Sequence, residues 1–517
     1  MTKKKFLFVG AALLVLNTAS AMAQARPNLA LQRVIYNTMK TMAKPQGELK
    51  DQLDAVDKEM AEAARAGRTG EVRHLLAKGT TLLSGREWTD VLEFSNSLVL
   101  RAEEVCIDSS LPYTVRLEQI YTPRVQLSSP LTVRLTLHKP GRAQWGVQAG
   151  EKVKDLGQKD GEGRDLQDEP CRIELDLSGI EDGTYLLQAE ILEKERSLGT
   201  TMLHIGLWKG LSDRLRSIEA GLKNIEGLDS FRADVLYPLD HIRNLNRGRF
   251  EMGTFQVAAE LKAAEDVLTS IKNGKDPFAG KTGDMERHYL LEGANEIMPY
   301  RVYVPKAYSG KTVYPLIIAL HGLGANEDSF FDSYDKQIPK LAEEHGYIVA
   351  APFGYRVDGF YGKILFGNPQ DESLKRKAEY SERDVMSVLA LMRKNYRIDE
   401  SRIYLMGHSM GAIGTWHLGA KYPEIWAALA PFAGYGDPSS VAKMKYIPEI
   451  VVHGDADPTV PVAGSRAMVA EMKKQGIQVQ YIEVPKGNHI DIVVPNLGAV
   501  FNFFDKHRKA ASKISGK

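Results

Sequence analysis

The stretch "YLMGHSMGAIGTWH", Tyr404 to His417, decides how the C-terminal part of this chain folds. An apolar run stops at Gly407. Ser409 follows, Gly411 comes two residues later, and a helical pattern then begins. "GHSMG" fits G-x-S-x-G, a pattern that arises by chance unless a strand precedes it and a helix follows. Both are present in the pattern: "RIYLM" before it, and Met410 to Lys421 after it. In that setting the serine sits on a sharp turn, and the flanking glycines let neighbouring backbone pass without Cβ clashes. Its hydroxyl is then raised at the carboxyl edge of a sheet, where open α/β folds bind ligands.

Working outward, residues 285–517 alternate short apolar runs with helical segments. "YRVYVP", "PLIIALHG", "YIVAAP", "RIYLMG", "WAALAPFAG", "PEIVVHG" and "VQYIEVP" read as strands. Several are continuous apolar runs, the mark of strands buried on both faces. Ser381 to Arg393, Met410 to Lys421 and Gly464 to Lys474 read as helices, so a mostly parallel sheet with helices on both faces is expected. A serine hydroxyl also needs a base, and the base an orienting acid. "VVHGDADPTVP" runs off a strand and presents Asp455 and Asp457. "VPKGNHID" runs off the last strand and presents His489. The order Ser409, Asp, His489 is that of α/β-hydrolases. Asp491 is too close to His489 in sequence to be its usual partner. His321, His408, His417 and His453 read as packing or turn residues.

The region from about 285 to 510 resembles the α/β-hydrolase superfamily through "LHGLGANEDSF", "GHSMGAIGTWHLGAKYPEIWAALAPFAG", "VVHGDADPTVPV" and "GNHI". Within it, the likeness is to exported esterases of the polyhydroxybutyrate depolymerase and feruloyl/acetylxylan esterase type. Predicted-peptidase and dienelactone hydrolase branches share the motifs. The family's H-G-x-x-D-x-x-V-P stretch implies Asp457 as the acid, leaving Asp455 as a turn residue bonded to local backbone. "ALHGLGAN" resembles its H-G-G-G-type loop, which implies the backbone N–H groups of Leu323 and Met410 as oxyanion donors. The implied activity is hydrolysis of carboxylic esters, small or polymeric, through an acyl-enzyme. Feruloyl, acetyl and hydroxyalkanoate esters fit, and no metal or cofactor is expected. Two other readings stay open: a serine peptidase related to prolyl oligopeptidases, and a non-catalytic binding protein on a hydrolase scaffold.

Between "YIVAAP" and the helix at Ser381 lies an insertion with Tyr355, Phe360, Tyr361 and Phe366 among Gly354, Gly359, Gly362 and Gly367. Loops at this edge often form substrate walls, so Tyr355, Phe360 and Tyr361 are candidate substrate-binding residues. The plainer reading is a loop tucked down by its own aromatics.

Upstream, the 517 residues leave room for more than one unit. Residues 1–23 read as a cleaved signal peptide: Lys3 to Lys5, an apolar run from Phe6 to Leu16, and Ala21-Met22-Ala23. Cleavage after Ala23 or Ala25 would send the protein to a periplasm or beyond. The formal charge of +1 less three lysines is −2. Neither value suggests a nucleic-acid partner, and no stable membrane anchor is expected. Residues 24–108 read as helical, with Leu49, Leu53, Val56, Met60 and Ala63 on one face. Residues 109–206 switch to period two, as in "LTVRLTLH" and "CRIELDL", and read as a small antiparallel β-sandwich with a hairpin turn at Asp182-Gly183. Residues 207–284 return to a helical stripe (Leu211, Leu215, Ile218, Leu222, Ile225) and end in a linker. Oligomerisation through these helical and β regions is an expectation. Cys106 and Cys171 form either one disulfide or two separate thiols, since spacing does not fix their geometry.

Overall fold

A computed structural model describes residues 29–123, 131–143, 146–161, 170–223, 230–250, 255–365 and 369–509. The signal-like segment, Ile225, Phe366 and Gly367 lie outside them. Among the described residues no helix is long and apolar enough to cross a membrane. The chain divides into two compact units, Met1–Asn224 with Pro238–Leu268, and Ile225–Tyr237 with Thr269–Lys517.

In the first unit, helices α1 (Leu29–Ala43), α2 (Gly47–Arg65) and α3 (Thr69–Leu83) share a core of Tyr36, Leu53, Val56, Met60, Ala63, Val72, Leu75 and Leu76. The apolar face expected on α2 is the buried one, because steps of four and three return to one side of a helix. Helix α4 (Asp90–Ser97) leads into strand β1 (Leu98–Ala102), so extended structure begins inside the segment expected to be helical. Strands β1, β3 (Tyr113–Gln119) and β6 (Cys171–Leu175) form one sheet, in the order β1-β3-β6. Strands β2 (Cys106–Asp108), β4 (Leu131–Ala143), β5 (Gly146–Gly161), β7 (Gly183–Glu193) and β8 (Arg196–Trp208) form the other, in the order β2-β8-β7-β4-β5. The pairs are antiparallel apart from β2 with β8. Alternate residues of both sheets, among them Val133, Leu135, Leu137, Ile173, Leu187, Ala189 and Ile191, meet in one core, which is the expected sandwich. The hairpin turn is not at Asp182-Gly183. It is Lys194-Glu195, between paired Glu193 and Arg196, with Lys194 at φ 56°. Asp182 instead accepts the Lys209 N–H at 2.8 Å. Cys106 and Cys171 are both thiols, the first buried and the second half-buried. Helix α5 (Leu211–Gly221) buries Leu211 and Ile218. Helices α6 (Arg232–Asn246) and α7 (Val257–Lys272) follow.

The second unit holds the α/β sheet. Its strands are β9 (Gly283–Leu291), β10 (Glu296–Val304), β11 (Tyr314–Leu320), β12 (Ile348–Pro352), β13 (Ile398–His408), β14 (Ala428–Phe432), β15 (Glu449–Gly454) and β16 (Val479–Val484). They lie in the order β9-β10-β12-β11-β13-β14-β15-β16. Strand β10 is antiparallel to β9 and β12, and the remaining pairs are parallel. Helices α8 (Ser329–Asp332), α9 (Gln337–His345), α10 (Glu372–Asn395), α11 (Met410–Lys421), α12 (Ala463–Lys474) and α13 (Val493–Asp505) complete the unit. This is the expected α/β-hydrolase architecture. Ile317, Ala319, Val349, Ala351, Tyr404, Met406, Ile450 and Val452 share a core with Phe330, Ile338, Phe501 and Phe504 of α8, α9 and α13. Their alternates, such as Leu316, Ile318, Leu405, Leu429 and Val451, point to the opposite face and are equally buried. The parallel strands send the loops after β11, β13, β14, β15 and β16 to one edge.

A buried ion cluster joins the start of α6 to β9 within this unit. Arg287 donates to both oxygens of Asp234 at 3.2 Å, and the His288 N–H donates to the same carboxylate at 2.9 Å. Burial alone would lower the His288 pKa, but hydrogen bonds with Asp234 and Glu286 raise it to about 9. Removing one partner of a buried pair strands the other charge. Asp234→Ala should therefore cost about 3–5 kcal/mol, read as a lower urea midpoint. A loss under about 1 kcal/mol would contradict this account of the cluster.

Candidate functional site

Ser409 stands between β13 and α11 with φ 58° and ψ −116°. A side chain rarely adopts positive φ, and the surroundings hold it there. Its N–H donates to Phe432 O at 2.9 Å, and its carbonyl accepts from Ala412 and Ile413 at 3.0 and 3.2 Å. The two glycines have a steric reason. A Cβ on Gly411 would run into the Leu320 carbonyl, and one on Gly407 would run into the Gly411 backbone. Only a residue without a side chain lets β11, β13 and α11 come this close.

The loop after β16 brings His489 to Ser409, with His489 Nε2 2.9 Å from Ser409 Oγ. The loop after β15 brings Asp457, whose Oδ2 is 2.7 Å from His489 Nδ1. Asp457 Oδ1 accepts the N–H groups of Thr459 and Val460 at 2.8 and 2.9 Å. His453 Nε2 lies 3.3 Å from Asp457 Oδ2. Burial pushes the Asp457 carboxyl up, but the hydrogen bonds with His453 and His489 outweigh it and hold it well below the usual carboxylate range. Asp455 binds not its own turn but the facing one, accepting the Lys486 N–H at 2.6 Å. With Ala456 N–H on Gly487 O at 3.1 Å, this ties the Asp457 and His489 loops together.

The loop after β11 lies against the Ser409 turn: a Cβ on Gly322 would sit 3.4 Å from Ser409 Cβ. Its Gly324 and Ala325 N–H groups bond Val357 O and Gly322 O at 2.9 and 3.2 Å. Leu323 lies between Gly322 and Gly324 in the loop. Met410 opens α11, so its N–H is among those a helix leaves without an internal partner. His321 Nε2 lies 2.7 Å from Phe353 O, which fixes the start of this loop.

Tyr361 requires a correction. It is fully buried, its N–H donates to Ser381 Oγ at 3.0 Å, and its hydroxyl donates to His321 O at 3.0 Å. It fills a slot that a Cβ on Gly354 or Gly414 would invade, and so supports the β11 loop from behind instead of facing a substrate. Phe360 is likewise buried, at 7% exposure. Tyr355 is half-buried, with the Arg356 guanidinium 3.9 Å from its ring centre. Of the two readings of this insertion, the tucked loop describes Phe360 and Tyr361.

Several supporting groups carry no sequence motif. Asp384 of α10 accepts the Tyr355 N–H at 2.7 Å and the Tyr289 hydroxyl at 2.5 Å, and burial pushes it up to about 6. Glu382 accepts from His417 Nε2 at 3.0 Å and the Tyr422 hydroxyl at 2.6 Å, and pairs with Lys421 at 2.5 Å. Glu449 of β15 accepts the Trp416 indole N–H of α11 at 2.8 Å. Ionisable residues scattered along a sequence give no sign of meeting until the fold is known.

Residues 292–485 match the family model described as "Putative esterase". The chain is 28% identical over 137 residues to "Feruloyl esterase B" of Talaromyces funiculosus, covering 26% of this chain and 35% of that protein. It is 27% identical over 156 residues to "Bifunctional acetylxylan esterase/xylanase XynS20E" of Neocallimastix patriciarum, covering 30% of this chain and 21% of that one. The chain thus spans about a third or less of the length of these curated relatives. A solved structure of a ferulic acid esterase from Anaeromyces mucronatus with ferulic acid aligns at 17% identity and TM-score 0.37, covering 43% of this chain and 90% of that one. The family-model match spans Ser409 and Asp457 and ends before His489.

Burial raises the Glu449 carboxyl from 4.5 to about 8 against the Trp416 hydrogen bond. Between those values the folded state keeps a proton that the unfolded chain has lost, so stability falls as pH rises through that window. Glu449→Gln should flatten this slope between pH 5 and 8, measured by thermal melts. Parallel melting curves for the two proteins would refute it.

Proposed function

We propose that this protein is an exported serine hydrolase that cleaves carboxylic esters. The observation that carries the reading is the hydrogen-bonded chain Ser409–His489–Asp457, at 2.9 and 2.7 Å. It lies at the carboxyl edge of the parallel strands, and Ser409 and Asp457 fall within the residues 292–485 that match an esterase family model. In this reading His489 Nε2 takes the Ser409 proton as Oγ attacks the ester carbonyl. Asp457 holds the Nδ1–H and faces the imidazolium that forms. The N–H groups of Leu323 and Met410 receive the oxyanion. The proton on Nε2 then passes to the leaving alkoxide, which departs as the alcohol. Water, deprotonated by His489, attacks the acyl carbon; the bond to Ser409 Oγ breaks, the acid leaves, and His489 returns the proton to Oγ.

The relatives named as feruloyl and acetylxylan esterases make feruloyl esters and acetylxylan the first substrates to test. Export rests on the N-terminal charge and apolar pattern, and N-terminal sequencing of the mature protein should begin after Ala23 or Ala25. The chemistry calls on no metal or cofactor. A fluorophosphonate should label the wild-type chain and not Ser409→Ala. That variant should lose about 10⁴-fold or more in kcat on p-nitrophenyl acetate. Undiminished turnover would end the assignment. Asp457→Asn, which keeps the shape and removes the charge, should lose about 10²–10⁴-fold.

A further inference from the structure

His408, the residue before Ser409, lies at 6% exposure yet makes two directional bonds. Its Nε2 is 2.8 Å from the main-chain carbonyl of His489. A carbonyl only accepts, so Nε2 carries the hydrogen. Nδ1 then presents its lone pair, and the Tyr334 hydroxyl, 2.9 Å away, donates to it. The two partners therefore determine the tautomer. Tyr334 is delivered by an unusual piece of backbone: Tyr334, Asp335 and Lys336 are successive non-glycine residues with φ of 52°, 55° and 54°. Side-chain-bearing residues held in that region cost free energy and persist where surrounding contacts over-determine them.

We propose that His408 is a positioning residue for the base: with Tyr334 behind it, it holds the His489 backbone at the height at which Nε2 meets Ser409 Oγ. The proposal rests on the serine-hydrolase reading above. The rest of the His489 turn is held by the Asn488 and Asp491 side chains, which take backbone N–H groups within it at 2.8–3.0 Å, and by its ties to the Asp457 loop through Asp455 and Ala456. Those bonds shape the turn but do not register it against the nucleophile. The His408 bond does, because it runs from the residue next to Ser409 to the carbonyl of His489 itself. With the Oγ–Nε2 contact it closes a small ring in which the two reacting groups cannot drift independently. An apolar side chain could fill the same volume without supplying this bond. Burial and the nearby His489 push the His408 imidazole down to about 3, so it stays neutral while His489 gains and loses its proton.

The test uses the full chain and p-nitrophenyl acetate. His408→Phe should lower kcat about 10- to 100-fold, as misplacement by an ångström does, with KM changed less than about twofold. His408→Gln, whose amide N–H can reach the same carbonyl, should recover part of that loss. Tyr334→Phe should lower kcat about threefold or more, the loss of roughly one hydrogen bond. A kcat for His408→Phe within about twofold of wild type would overturn the proposal, as would a glutamine variant no better than the phenylalanine one. If neither His408 variant folds, Tyr334→Phe decides, and wild-type kcat there overturns it. Ser409→Ala separates the two readings. Its full activity would overturn both, whereas its inactivity beside a fully active His408→Phe would overturn this proposal alone.

Discussion

The close approach of three backbones at Ser409 is the constraint on which this unit depends. Leu320 of β11 lies opposite Gly407 of β13, and Gly411 of α11 presses on the Leu320 carbonyl. Holding a serine at φ 58° costs roughly 1–3 kcal/mol. The cost is met by the Phe432 carbonyl on one side and the first turn of α11 on the other. A strand order that did not set β11 and β14 on either side of β13 would leave the turn without these holds. The sheet order and the two glycines are thus one requirement, seen at two scales.

Around that turn, α10 acts as a post for the neighbouring loops. Ser381, Glu382 and Asp384 are buried polar residues within about one turn of α10, and each grips a different segment. Ser381 takes the Tyr361 N–H, Glu382 takes α11 through His417, Lys421 and Tyr422, and Asp384 takes Tyr355 and Tyr289. Buried polar groups of this kind add specificity when fully partnered. Here they convert the insertion after β12 into a stiff backing for the β11 loop, with the Tyr361 hydroxyl as the point of contact.

Much of this was legible in the sequence because period and punctuation carry it. The α2 face, the alternating strands of the sandwich and the apolar runs of the parallel sheet each follow from burial on one side or both. The meeting of Ser409, Asp457 and His489 was legible because each follows a strand end, and the parallel topology sends those ends to one edge. The hairpin at Lys194-Glu195 was not legible, since neither residue is a typical left-handed turn former. Strand β1 was hidden because "SLVLRA" is short and follows directly on a helix. Tyr361 looked like a substrate residue because an aromatic beside glycines in an edge loop fits either role. Its burial, its bond to His321 O and its neighbours Gly354 and Gly414 show that the ring points inward.

The buried carboxyls of the α/β unit explain where charge is allowed. Glu449 and Asp384 are pushed up to about 8 and about 6 by burial, and hold scaffold donors. Glu382 is buried less completely and bonds His417, Lys421 and Tyr422, and is held down at about 2. Asp457 is held lower still by two imidazoles and two backbone N–H groups. The environments thus push the ionisation of like groups apart. A negative charge is kept at the position facing His489 Nδ1, and the same fold suppresses it at Glu449, one strand length away on β15. Under the proposed reading, an imidazolium forming at His489 meets a carboxylate already ionised and already oriented, so little reorganisation is left for the reaction itself.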